Sequence, residues 1–106
     1  MAQRRMFSKR ITESGKFYLL SQEAQLFYFH MGMIADDDGV ADCFFITRVL
    51  RVGEDVVREL EENGFIKVVP NHDSLFYIVD WHENNQVRKD RYTPSIYADL
   101  IDSIGW

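Results

Sequence analysis

The 106-residue chain is 46% hydrophobic and 14% aromatic, enough apolar surface for one packed domain and too little length for two. A single cysteine, Cys43, excludes an internal disulfide and the paired-cysteine zinc signatures, and it fits a reducing, cytoplasmic setting. No apolar run approaches the roughly 20 residues that span a bilayer, so no membrane partner is expected. The formal charge of -5 argues against a polyanionic partner until its distribution is read.

Residues 1–16 form a basic segment in which Arg4, Arg5, Lys9, Arg10 and Lys16 face Glu13 alone, a net +4. No apolar stretch with a small-residue cleavage site follows, so this is not a secretory signal. The expected core, residues 17–81, opens with Ser21, a good N-cap because its hydroxyl can accept from a free backbone N–H. Ala24, Phe27, Tyr28, Met31 and Ile34 then recur at helical spacing to about Ile34, and Leu26 and Phe29 widen the stripe. His30 reads as a structural member of that helix. Asp36-Asp37-Asp38-Gly39 is a turn: three adjacent carboxylates cannot copy the alternating ligands of a calcium loop.

Val40-Ala41 leaves room for a very short strand. Asp42 can cap a second helix from Cys43 to about Leu50, ended by Gly53. A third follows from about Glu54 to Glu62, with Val56, Val57 and Leu60 on one face, and Asn63-Gly64 stops it. Phe65 to Val69 and Leu75 to Trp81 make a hairpin across Pro70-Asn71-His72-Asp73-Ser74. Residues 82–106 form a second basic segment, with Arg88, Lys89 and Arg91 beside Tyr92, followed by a helix capped by Thr93 whose apolar face carries Ile96, Leu100 and Ile104. Helix, short strand, two helices and a hairpin make a mainly helical α+β fold: a winged helix-turn-helix with a small antiparallel wing and a C-terminal helix, one domain over 1–106.

Charge decides which surface could meet DNA. Between residues 17 and 87, four basic side chains oppose 13 acidic ones, a net -9. The third helix would be the groove reader of a helix-turn-helix, yet five acids oppose Arg58 on its exposed face. Phosphate contacts are therefore expected from Arg4, Arg5, Lys9, Arg10, Arg48, Arg51, Arg88, Lys89 and Arg91, with Tyr92 stacking on a base or sugar. Glu54, Asp55, Glu59 and Glu62, with Ile96 and Leu100, are the expected protein-partner surface, and the alternative is an interaction or oligomerisation module without DNA contact. No nucleophile–base pair, metal constellation or phosphate loop emerges, so neither catalysis nor a cofactor is expected.

A set of strings carries a family resemblance over nearly the whole chain. They are Arg4-Arg5-Met6-Phe7-Ser8, Tyr28-Phe29-His30 with Gly32-Met33, Ala35-Asp36-Asp37-Asp38-Gly39, Asn63-Gly64-Phe65-Ile66, Trp81, and Val87-Arg88-Lys89-Asp90-Arg91-Tyr92 with Pro94 and Tyr97. In this order they resemble the N-terminal domain of phage replisome organiser proteins, relatives of the DnaD-type initiators. His82-Glu83-Asn84-Asn85 departs from that family's more basic run. The resemblance implies a winged helix that binds origin DNA and recruits helicase-loading proteins; whether the DNA is duplex or single-stranded stays open.

Overall fold

The computed structural model describes residues 7–70, 72, 74–79, 81 and 96. Its elements are α1 (Lys9–Thr12), α2 (Gly15–Tyr18), α3 (Gln22–Ile34), β1 (Val40–Asp42), α4 (Phe44–Val49), α5 (Glu54–Glu62), β2 (Ile66–Val68) and β3 (Leu75–Ile78). The expected C-terminal helix lies outside the described residues, apart from Ile96, which is exposed.

The first three helices start where a serine side chain satisfies a free N–H. Ser8 accepts from Arg10, Ser14 from Phe17 and Ser21 from Ala24. The second expected helix begins one residue later than its capping pattern suggests. Cys43 holds the cap position without a side-chain bond, while the Asp42 carboxylate accepts from the Phe44 N–H at 3.2 Å.

The three strands form one antiparallel sheet with β3 in the middle, in the order β1-β3-β2. Ala41 stands opposite Phe76, and Ile66 opposite Ile78. Because side chains alternate along a strand, Ala41, Ile66, Phe76 and Ile78 turn to the helices and join Phe27, Met31, Val56 and Leu60 in the main core. Val40, Val69 and Leu75 make a smaller buried cluster with Tyr77 packed against it. The Asp-Gly turn feeds β1: one Asp36 carboxylate oxygen accepts from the N–H groups of Asp38 and Val40. Gly39 has φ +85, and a Cβ there would stand 2.5 Å from the Trp81 ring, whose Nε1–H donates to the Asp37 carbonyl.

Two expectations are corrected. The core does not begin at residue 17, because Phe7 and Ile11 already pack against it. Phe17 lies edge-on to Tyr28, Phe29 and Phe65 at 5.3, 5.6 and 5.7 Å between ring centres, which fastens the N-terminal turns to α3 and to the residue leading into β2. Nor is α3 buried all round. Ala24, Phe27, Tyr28, Met31 and Gly32 form its inner face, whereas Leu26, Phe29, His30, Met33 and Ile34 are exposed. At about 100° per residue the second set points away from the sheet, so Ile34 is not part of the buried stripe, Leu26 and Phe29 do not widen it, and His30 is a surface residue.

Candidate nucleic-acid interface

The last turns of α4 and α5 are built alike. At the end of α5, the Gly64 N–H donates to Glu61 and the Phe65 N–H to Leu60, with Gly64 at φ 79. At the end of α4, the Arg51 N–H donates to Arg48 and the Val52 N–H to Thr47, with Arg51 at φ 55. Both are the paired closure that places one residue in the left-handed region. Glycine takes that position freely in α5. In α4 an arginine occupies it, and it is the one non-glycine residue with positive φ among the described residues.

Upstream of that turn, α4 presents an unusual surface. None of its residues is buried. Ile46 and Leu50 pack partly against the core, while Phe44, Phe45 and Val49 are 58%, 73% and 61% exposed. The Arg48 guanidinium lies 3.8 Å above the centre of the Phe44 ring, and one of its N–H groups donates to the Phe44 carbonyl at 2.9 Å. The stretch from Cys43 to Gly53 contains Arg48 and Arg51 and no acid.

An open cleft of about 480 Å³ runs between α4 and α5 to β3. Arg48 and Thr47 line one wall, Glu54, Arg58 and Glu61 the other, and Phe76 and Ser74 also border it. Residues expected to have separate roles, Arg48 for phosphate and Glu54 for a partner, therefore share one cleft. Arg58 belongs to it as well. Sequence reasoning noted Arg58 only as the lone base on an acidic helix, and its neighbours across the chain depend on how α4 and α5 pack.

The remaining expected site residues are placed as follows. Lys9 and Arg10 are exposed on α1, which packs chiefly on α2. Asp55 and Glu62 are exposed on α5. Glu59 is engaged inside the molecule: its two carboxylate oxygens accept from the Ser21 N–H and the Ser21 hydroxyl, both at 2.7 Å. That use removes its carboxylate from the expected partner surface. Lys16, counted with the basic flank, lies over the Phe65 ring at 5.2 Å. Arg4, Arg5, Arg88, Lys89, Arg91, Tyr92 and Leu100 lie outside the described residues.

Cys43 is fully buried, and its thiol donates to the Ala41 carbonyl at 3.8 Å. Burial, and secondarily the negative charge of Asp42, pushes its pKa up to about 12. It is a core residue and no nucleophile at neutral pH. Among the described residues no helix is long and apolar enough to cross a membrane. No family model, curated relative or solved structure matches the chain.

Proposed function

We propose that this chain is a winged-helix module of the phage replisome-organiser type, which holds DNA mainly through phosphate contacts and recruits replication proteins. From α3 onward the order helix, strand, helix, helix, strand, strand, with β1 paired to β3 at the edge of the hairpin, supports the winged-helix assignment. In that scheme α4 and α5 are the helix-turn-helix and β2–β3 the wing.

The observation that carries the reading is the separation of charge across those two helices. α5 carries Glu54, Asp55, Glu59, Glu61 and Glu62 against Arg58, so it is a poor groove reader, because phosphates flank every approach to the major groove. Arg48 and Arg51, on α4 and its closing turn, are free of neighbouring acids in sequence. With Lys9, Arg10 and the basic residues of both chain ends they supply phosphate ligands that carry little sequence information. The exposed acids Glu54, Asp55 and Glu62 then suit a basic patch on a protein partner.

Titration of the chain against a labelled duplex at several salt concentrations tests this. Neutralising about five phosphates gives a log–log slope of roughly -4 to -5. Substituting Arg48 and Arg51 together by Ala should make that slope shallower by about two and weaken all sequences alike. Absence of binding at low salt, or a slope near zero, refutes the reading.

A further inference from the structure

We propose that the outer face of α4 is a stacking platform for the unpaired bases of single-stranded nucleic acid. The proposal rests on the nucleic-acid reading above and deepens it by naming the strand state this surface recognises.

Phe44 and Phe45 are both exposed on a helix with no buried residue, Phe45 the more so, and large aromatic side chains are ordinarily taken into a core or an interface. Three features select the occupant. The first is shape. A phenylalanine face accepts any base whose own face is free, and bases offer that face only when unpaired and unstacked. The second is the placement of Arg48. Its guanidinium lies over one face of the Phe44 ring and is held there by its bond to the Phe44 carbonyl, so the arginine is already ordered, with its own outer face and remaining N–H groups turned to a base or a phosphate. The third is charge. Arg48 and Arg51 give residues 43–53 a net +2 on a chain of -5.

The helix is also ordered by local bonds. The Asp42 carboxylate accepts from the Phe44 N–H, the Thr47 hydroxyl donates to the Phe44 carbonyl, and the closing turn fixes Arg51. Glu54 and Glu61 stand on the α5 wall of the adjoining cleft, which directs the phosphates toward the α4 side.

The test compares a labelled oligothymidylate of about 20 nucleotides with a duplex of the same length, using the full chain at low salt. Three proteins are measured by fluorescence anisotropy: wild type, Phe45→Leu, and the Phe44→Ala/Phe45→Ala double variant. Leucine keeps an apolar side chain but has no flat face. Phe45→Leu should weaken the single-strand complex about tenfold and the double variant further, with duplex affinity unchanged. Since both rings are exposed, thermal melts should match wild type.

Duplex binding together with single-strand binding indifferent to Phe45→Leu overturns the platform and leaves the phosphate-contact function standing. No binding to either nucleic acid overturns both. Vesicles of phosphatidylserine and phosphatidylcholine form a second arm: vesicle capture lost in Phe45→Leu, beside unchanged oligonucleotide binding, assigns the face to a lipid surface and overturns the proposal.

Discussion

Arg51 holds a backbone conformation that costs an L-residue about 1 kcal/mol relative to glycine. Its counterpart at the end of α5 is Gly64, which occupies the same position in the same hydrogen-bonding pattern at no such cost. Arginine instead adds a second positive charge beside Arg48 on an acid-free stretch, which the proposed phosphate contact would use. Arg51→Gly should therefore raise the unfolding free energy by about 1 kcal/mol, a Tm increase of roughly 4–8 °C in a domain of this size. The same variant should lose affinity for oligonucleotides, with a salt slope shallower by about one. Calorimetry and anisotropy on one preparation read both effects. A drop in Tm would mean that the Arg51 side chain contributes more to the fold than its backbone strain removes.

At the scale of elements, one contact ties the start of α3 to the middle of α5. The Glu59 carboxylate accepts from both the backbone and the hydroxyl of Ser21, and the hydroxyl itself accepts from Ala24. A negative charge at a helix N-terminus also meets the positive end of the helix dipole. Ser21→Ala removes the hydroxyl from both bonds but leaves the backbone donor to Glu59, so about 1 kcal/mol should be lost. Glu59→Ala removes both bonds and the charge and should cost more, about 2 kcal/mol. The double variant should cost less than the sum, which a double-mutant cycle in urea measures; strict additivity would show that the two side chains do not act together. The Ser21 cap, four of the inner residues of α3 (Ala24, Phe27, Tyr28 and Met31), the bounds of α5 and the Asn63-Gly64 stop were legible because each is written in local spacing or a local capping preference. The partner of Ser21 was not, since Glu59 is remote in sequence and looks like one more surface acid. The turns α1 and α2 were hidden for the same reason. Four-residue helices gain little from their own hydrogen bonds, and what holds this stretch is Phe7 and Phe17 against Tyr28, Phe29 and Phe65. The site was legible as a count of charges. That Arg48, Glu54 and Arg58 line one cleft follows from how α4 and α5 pack.

At the scale of the whole molecule, Cys43 reports whether this core opens as one unit. It sits between β1 and α4, its backbone N–H donates to the Ser74 carbonyl at the start of β3, and its side chain belongs to the main core. A reagent reaches the sulfur only if sheet and helices part together. Its thiolate is also disfavoured in the fold, with the pKa pushed from 9.0 to about 12, by burial first and by Asp42 second. The consequence for stability has a definite sign. A folded-state pKa above the unfolded value favours the fold fully below pH 9, where the thiol is neutral in both states, and this contribution is lost as pH rises from 9 toward 12. Over that window the unfolded chain ionises first and is stabilised relative to the native one. The urea midpoint of the wild type should therefore fall more steeply between pH 9 and 11 than that of Cys43→Ala, the difference between the two curves cancelling the titration of lysines and tyrosines they share. At pH 8 an aromatic disulfide reagent should modify native Cys43 no faster than global unfolding allows, with a rate that rises in parallel with the unfolded fraction as urea is added. Rapid modification without urea, or parallel pH curves for the two proteins, would mean that α4 lifts from the sheet independently and that the stacking face is carried on a separately mobile element.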